Sequence, residues 1–254
     1  MAHSLNNLGL LFWELSEFDE AQALLERALA LREQASVSHL EKATSLNNLA
    51  VVYLWQYKFG ETESLLQKAA LLCEEALAGA FTGHAEITNL LASSLNNLGV
   101  LYHIQRRYQD AEPLYLRAHT LWEKLSGARH PNVATALHNL GRNYQFLRDY
   151  ESSERYHLRA LTIREQVLGS MHPLTAISLN NLGELYCVQE SYAEAEPLLR
   201  RALHIREVSL GSSNTDVATV LENLASLLHN TSREWEAKEL EEQAKSIRNK
   251  KKTL

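Results

Sequence analysis

Three side chains with catalytic or metal-binding chemistry, His103, His138 and Cys187, fall on one predicted helix face but come from three separate stretches of the chain. None has a carboxylate at the spacing of a metal-ligand set or a catalytic pair. The chain also lacks the GxGxxG, Walker, GxSxG and HExxH patterns of nucleotide, acyl-transfer and zinc-protease sites. Cys73 and Cys187 form no CxxC pair. We therefore expect no enzyme activity, no cofactor and no metal site.

A more regular polar feature is the tetrapeptide Leu-Asn-Asn-Leu, which recurs along the chain in intact or altered form. Its second asparagine returns at intervals of about 42 residues, and a period of that size marks stacked supersecondary units. The asparagines of this second column are Asn7, Asn48, Asn97, Asn139, Asn181 and Asn223. Six such units account for nearly the whole chain.

Within each unit, apolar and small residues at spacings of three and four predict two antiparallel helices. In the first helix a small residue such as Gly9 follows the asparagines, and an aromatic such as Phe12 comes three residues later. Glycine costs a helix about 1 kcal/mol relative to alanine, so we expect it to mark a close helix crossing. The second helix carries an alanine in every unit: Ala28, Ala69, Ala118, Ala160, Ala202 and Ala244.

The linkers between units carry helix stop and start signals. Two of them combine a glycine, which ends one helix, with a His-Pro pair, which begins the next. The histidines are His130 and His172, and Asn214 takes the same place in the following linker. Because asparagine is a strong N-cap, we interpret this column as helix caps and not as metal ligands. About two helical turns of extra chain lie within residues 79–91, and they would keep the helix faces in phase if they lengthen the helices.

Composition narrows the class of function. The chain has 25 Lys and Arg against 31 Asp and Glu, a net charge of -6 that argues against nucleic-acid binding. No apolar run approaches the length of a membrane span. The cysteine usage and the amino-terminal sequence give no sign of a disulfide framework or a signal peptide, which favours a reducing, cytoplasmic location.

Several segments resemble the tetratricopeptide repeat family, of the 42-residue type found in kinesin light chains. They are His-Pro-Asn-Val-Ala at 130–134, Ser-Leu-Asn-Asn-Leu-Gly at 178–183, Ala-Glu-Pro-Leu at 195–198 and Arg-Ala-Leu-His-Ile-Arg-Glu at 201–207. The resemblance implies an all-α, right-handed solenoid of six antiparallel helix pairs, with first helices that line a concave groove for extended peptides. We expect one solenoid over residues 1–254, with repeats at about 2–34, 43–75, 92–125, 134–167, 176–209 and 218–250.

We call the predicted groove surface the first-helix face. Its first column consists of the residue that precedes each second-column asparagine. The face also includes the residues four and seven positions after each member of this first column. Asparagine both donates and accepts hydrogen bonds, so a row of asparagines can hold a peptide backbone. We interpret the second column as ties between helices and the first column as ligand contacts. The predicted contacts are Asn6, Leu10, Asn47, Val51, Leu54, Asn96, Val100, His103, His138, Arg142, Asn180 and Glu184.

The tryptophans and a set of recurrent arginines also have expected roles. Trp13 and Trp55 are expected to pack in the core or at an edge, with a role as binding anchors as the alternative. Trp235 is expected to replace the missing turn aromatic of the sixth repeat. Arginines recur near the ends of second helices, where a solvated cation complements the helix dipole. They are Arg32, Arg164, Arg206 and Arg248.

The predicted function is a non-catalytic, adaptor-like module that binds a protein or peptide and neither nucleic acid nor a membrane. A kinesin heavy chain is not an expected partner, because the heptad coiled coil through which kinesin light chains join it is absent. We expect a peptide with an apolar anchor near repeats 1 to 3 and an acidic residue near Arg142. Two alternatives stay open: an architectural or self-assembling solenoid, and the sensor part of a larger regulatory protein.

Overall fold

The computed structural model describes residues 1–35, 37–79, 83–212 and 214–252, of which residues 250–252 are described by their backbone alone. Within these ranges the regular structure is entirely helical and forms six helix pairs, so the predicted all-α fold is confirmed. We call the odd-numbered helices first helices and the even-numbered ones second helices. The helices are α1 (Ala2–Glu14), α2 (Phe18–Gln34), α3 (His39–Trp55), α4 (Phe59–Gly79), α5 (His84–Ile104), α6 (Tyr108–Ser126), α7 (Pro131–Phe146), α8 (Tyr150–Leu168), α9 (Pro173–Val188), α10 (Tyr192–Leu210), α11 (Thr215–Asn230) and α12 (Glu234–Lys252).

The helices group into two compact units, Met1–Ala128 and Arg129–Leu254. In the first unit α2 packs between α1 and α3, and α4 packs between α3 and α5. In the second unit α8 packs between α7 and α9, and α10 packs between α9 and α11. Each unit is therefore a stack of helix pairs, while the single solenoid expected over residues 1–254 stays a prediction. Within the described ranges no helix has the length and apolar character needed to cross a bilayer.

A tight turn joins the two helices of each pair. Its central residue is left-handed in all six described turns, although none of the six is glycine: Ser16, Tyr57, Arg106, Arg148, Glu190 and Ser232 have φ between 60° and 63°. In the fifth pair the amides of Glu190 and Ser191 donate to the carbonyls of Cys187 and Tyr186, at 3.1 and 2.8 Å. These bonds satisfy carbonyls that the helix end would leave open and offset the strain of the left-handed residue.

Four first helices cross their second helices at a glycine. A Cβ atom added to Gly9 or Gly183 would lie 2.7 Å from the side chain of Leu25 or Leu199. At Gly99 and Gly141 the same atom would collide at 2.7 Å with Tyr115 and His157. The prediction of a close helix crossing is confirmed, because the packing leaves no room for a side chain at these positions. The alanine column of the second helices is buried as well.

The predicted helix caps are also confirmed. The Nδ1 atoms of His130 and His172 accept hydrogen bonds from the amides of Asn132 and Leu174, and Asn214 accepts one from Asp216. The following prolines stand in the first turns of α7 and α9. These imidazoles therefore have a structural role as caps.

The extra chain before the third repeat flanks the two longest described helices. Helices α4 and α5 each have 21 residues. The predicted insertion at residues 79–91 falls partly in the start of α5, and its residues 80–82 lie outside the described part of the chain. The described portion thus agrees with an insertion that lengthens helices.

The expectation that the recurrent arginines are solvated is wrong for Arg32, Arg164 and Arg206, which are only 4 to 7% exposed. Arg32 donates to the carbonyl of Glu41 and to Ser45, at 2.7 and 2.8 Å. Each guanidinium contacts polar groups at the start of the next first helix. These contacts stabilise the buried cation more than exposure to solvent at the helix end would.

Arg164 repeats this arrangement in the second unit. It donates to the carbonyl of Leu174 at 3.1 Å and to Ser178 at 2.8 Å, and burial lowers its pKa to about 10. Arg206 instead pairs with Asp216 at 3.0 Å. The arginines therefore join consecutive helix pairs. Arg248 remains partly exposed.

Candidate functional site

The asparagines of the first unit form a hydrogen-bonded ladder between first helices. The Asn48 amide donates to the Asn6 carboxamide oxygen at 3.2 Å, and the Asn97 amide donates to the Asn47 oxygen at 3.2 Å. Ser94 also donates to the Asn47 oxygen, at 3.2 Å. The two bonds between asparagines each link a second-column asparagine to the first column of the preceding repeat.

The second unit follows the same scheme. Asn223 donates to the oxygen of Asn180 at 3.0 Å. The Asn181 amide nitrogen lies 3.4 Å from the ring nitrogens of His138, the residue that replaces asparagine in the first column of the fourth repeat. The ladder therefore accepts histidine in place of one asparagine.

The first column is more deeply buried than a ligand-contacting row would require. Asn6, Asn47, Asn96 and Asn180 are 3 to 8% exposed. Because three of these carboxamide oxygens already accept a bond from the next repeat, their observed role is repeat packing. Contact between this column and a peptide stays a prediction.

The apolar part of the first-helix face lies in the first unit. Leu10, Val51, Leu54 and Val100 are half-buried, so each keeps solvent-accessible apolar surface after the helices have packed. His103 is half-buried too and meets the Tyr108 ring edge-on, with ring centroids 5.1 Å apart. This surface can receive apolar side chains.

The polar part of the face lies in the second unit. Arg142 and Glu184 are exposed on α7 and α9. Desolvation by the surrounding protein raises the pKa of the Glu184 carboxyl, and the positive charge of Arg142 partly opposes that rise. Glu222, on the next first helix, accepts two 2.6 Å hydrogen bonds from Arg248. Its charge is therefore compensated within its own repeat.

Neither cysteine is activated as a nucleophile. Burial raises the pKa of the Cys187 thiol to about 11, with a further contribution from Glu184, and burial raises that of Cys73 to about 11 as well. Both cysteines are free, and the thiolate that would act as a nucleophile is disfavoured. Within the described ranges no three His, Cys, Asp or Glu side chains are grouped so that they could hold a metal ion.

The tryptophans occupy different environments. Trp13 is half-buried, whereas Trp55 is 59% exposed and stacks on Phe18 with ring centroids 6.3 Å apart. Packing in the core or at an edge is the interpretation favoured for both, and for Trp55 the stacking agrees with an edge position. The expectation for Trp235 is wrong, because it is 71% exposed and does not fill the place of the half-buried turn aromatics.

Sequence reasoning missed a second set of bonds between repeats. The hydroxyls of Tyr102 and Tyr186 each donate at 2.7 Å to a glutamate of the preceding second helix, Glu63 and Glu154 respectively. The signal was present, because tyrosine repeats at one position of the first helix and glutamate at one position of the second. The pattern assigned the tyrosines to the core and gave no reason to seek a partner for their hydroxyls.

Comparison with known families gives a consistent match along the chain. The model of the tetratricopeptide repeat matches residues 1–75, 90–166, 143–207 and 174–250. No match was found among curated protein sequences. The family match includes all six asparagines of the second column.

Solved structures share the fold at low sequence identity. BtubC (BKLC) of P. vanneervenii is 22% identical, with a TM-score of 0.76 and 93% of each chain covered. A kinesin light chain-like protein of P. anserina with nearly identical TPR-like repeats is 22% identical, with a TM-score of 0.65, and the match covers 85% of this chain and 99% of that one. A Rap protein complexed with Competence and Sporulation Factor is 18% identical, with a TM-score of 0.63 and coverage of 98% and 75%.

Proposed function

Because the chain belongs to the tetratricopeptide repeat family, whose repeats are typically non-catalytic interaction modules, we propose that it is a scaffold that binds an extended peptide segment of a partner protein on its first-helix face. The observation that carries the proposal is the accessible apolar surface of Leu10, Val51, Leu54 and Val100. Apolar side chains that stay open to solvent beside polar amides suit a ligand that presents both a backbone and apolar side chains.

In the first unit the ligand is held by its apolar side chains. An anchor residue packs against Val51 and Leu54 of α3, while the half-buried amides of Asn48, on the same helix, and of Asn97, on α5, lie beside it. Binding strength then comes from the apolar surface removed from water. The amides contribute by holding the first helices in register.

In the second unit the ligand presents an acidic residue to Arg142. This arginine is exposed, so the pairing is screened by solvent and modest in strength. Glu184 lies near enough to feel the charge of Arg142, and it disfavours a second ligand carboxylate. The preference is therefore for one acidic residue.

The solved relatives support a protein or peptide as the ligand. One of them, the Rap protein, was solved in complex with Competence and Sporulation Factor. The two free thiols suit a reducing compartment, and a cytoplasmic location belongs to the same proposal.

A second candidate function is purely architectural. It is favoured by the asparagine ladder, because the amides that could hold a peptide backbone already bond to the neighbouring repeat. In that case the chain is a rigid spacer, and the apolar surface of the first helices has no ligand.

A peptide-display selection against the purified protein separates the two functions. We expect selected peptides to share an apolar anchor and one acidic residue, and Arg142→Glu to weaken them about tenfold at low salt. The matched control is Arg155→Glu, an exposed arginine of a second helix in the same unit; the buried Arg164 would be unsuitable. Equal effects of both substitutions, or a selection without enriched peptides, would favour the architectural function.

A further inference from the structure

A cleft on the second helices of the first unit lies outside the first-helix face. It is a cavity of about 590 Å³ bounded by α2 and α4, with α3 beneath. Leu29, Leu49, Leu65 and Tyr53 supply its apolar surface. Its volume falls in the range of roughly 300 to 1,000 Å³ typical of small-ligand sites.

The α4 wall of the cleft carries two small residues where α8 has long ones. Gly60 is the second residue of α4, and the equivalent residues of α6 and α8 are Gln109 and Glu151. A Cβ atom added to Gly60 would meet no other atom within 4 Å. Ser64 likewise corresponds to Arg155 of α8. A longer side chain at this cleft-lining position therefore has room to extend without disturbing the helices.

Three carboxylates, those of Glu26, Glu33 and Glu61, line the cleft. The Oε1 atom of Glu26 accepts hydrogen bonds from the Tyr53 hydroxyl at 2.6 Å and from Gln22 at 2.7 Å. Burial and the bond to Glu26 raise the pKa of Tyr53 to about 12, so its hydroxyl stays a neutral donor. Glu26 is thus held in place by two donors that carry no positive charge.

Two lysines adjoin the cleft and only partly offset its negative charge. Lys68 lies 3.4 Å from Glu33, and both side chains are at least half exposed. Lys58 donates to Gln22 at 2.8 Å and lies 5.0 Å from the centre of the Tyr53 ring. Within the described ranges neither Glu26 nor Glu61 forms an ion pair.

We propose that this cleft binds an arginine side chain from a partner protein, flanked in the partner by an apolar residue. The guanidinium would meet Glu26 and Glu61, and its aliphatic stem and the apolar neighbour would pack on Leu29, Leu49 and Leu65. A planar cation with several donors fits carboxylates that lie above an apolar floor. The site lies on the second helices, so it does not depend on peptide binding by the first-helix face.

The probe is the peptide acetyl-Leu-Arg-Leu-Arg-Leu-amide, titrated into the full chain with methyl-labelled leucines. We expect the NMR signals of the Leu29, Leu49 and Leu65 methyl groups to shift on binding. The same peptide with citrulline for arginine keeps its shape but loses its charge, and it should bind at least about tenfold more weakly. Equal affinity for the two peptides, or shifts only at other leucines, would overturn the proposal.

Variants separate the cleft from other surfaces. Gly60→Gln, which introduces the residue of the third repeat, should abolish the shifts at the three leucines, and Glu61→Gln should weaken binding severalfold. Glu194→Gln is the matched control, because Glu194 is the third residue of α10 as Glu61 is of α4. Unchanged binding to the folded Gly60→Gln protein would contradict the site. Concentration-dependent shifts of the protein alone would assign the cleft to a second copy and would also overturn the proposal.

Discussion

At the scale of single residues, His157 is the least expected member of the core. It is fully buried against Gly141 of α7, and neither ring nitrogen has a hydrogen-bond partner among the described residues. The equivalent residue is leucine in three other second helices, at Leu25, Leu66 and Leu199, and tyrosine in α6, at Tyr115. An imidazole at this position buries two ring nitrogens without hydrogen-bond partners, which lowers the free energy of unfolding.

Replacing His157 with leucine should therefore stabilise the protein. We expect His157→Leu to raise the free energy of unfolding by about 1 to 3 kcal/mol at pH 7, because it removes unsatisfied polar atoms from the core. Urea denaturation followed by circular dichroism measures the change. A loss of stability would show that the imidazole contributes packing that leucine cannot supply.

The same residue predicts a pH dependence. Burial, together with the charges of Arg142 and Arg164, lowers the pKa of His157 to about 3, and the His138 ring lies 5.9 Å away. Between about pH 6.5 and pH 3 the unfolded chain binds a proton that the folded chain does not, so stability falls as the pH is lowered.

The His157 contribution to this loss approaches about 1.4 kcal/mol per pH unit and should vanish in His157→Leu. His172→Asn is the matched control, because it removes a histidine but keeps a helix cap of the kind seen at Asn214. The control should retain the acid sensitivity. An identical pH profile for wild type and His157→Leu would disprove the assignment.

At the scale of helices, consecutive pairs are joined by polar side chains as well as by apolar packing. Arg164 connects α8 to the first turns of α9 through Leu174 and Ser178. In the second unit Arg201 also pairs with Glu165 at 2.6 Å across neighbouring second helices. The buried member of this set should matter most, because the exposed pair is screened by water.

Arg164→Met keeps most of the side-chain length but removes both hydrogen bonds. We expect it to lower the free energy of unfolding by about 1.5 to 3 kcal/mol, since Ser178 and the Leu174 carbonyl lose a charged donor. Arg155→Met, on an exposed surface of the same helix, should change it by less than about 0.5 kcal/mol. Denaturant unfolding of both variants measures this difference, and equal effects would contradict a joining role for Arg164.

The turns between paired helices offer a gain in stability. Glu190 is exposed and left-handed, with φ 60°, a conformation that glycine adopts without strain. Glu190→Gly should raise the thermal midpoint and stabilise the fold by about 0.5 to 1 kcal/mol. Glu190→Ala keeps the Cβ atom and serves as the control. If alanine stabilised as much as glycine, backbone strain would not be the cause.

At the scale of the whole molecule, the helix pairs could be predicted because their signals are local. The three-and-four spacing of apolar residues, the glycine crossings and the His-Pro helix starts are each visible in a short segment of the chain. The hydrogen-bond partners of Arg164 could not be predicted, because one of them is a backbone carbonyl of the next helix, which residue spacing does not reveal. The cleft beside Glu26 was missed because it also depends on a contact between helices. Gln22 stands where later repeats have glutamate, and the Tyr53 hydroxyl donates to Glu26 instead.

A stack of pairs should tolerate loss of its last member. A chain that ends at Gly211 lacks α11 and α12, and it exposes Leu199, which packs with Leu224 in one cluster of the second unit. We expect this chain to remain folded but to be less stable and less soluble, because each repeat contacts only its neighbours. Circular dichroism with thermal unfolding tests this. Complete loss of helicity would reject the stack.

The most direct test of peptide binding by the first-helix face is calorimetric titration of a display-selected peptide into two matched variants. Val51→Lys places a cation among the half-buried apolar residues of α3, and Leu71→Lys does the same on exposed apolar surface of the second helix α4. With both proteins folded by circular dichroism, we predict that Val51→Lys weakens binding at least about tenfold and Leu71→Lys less than about twofold. Equal affinities, or a larger loss for Leu71→Lys, would contradict binding at the first-helix face.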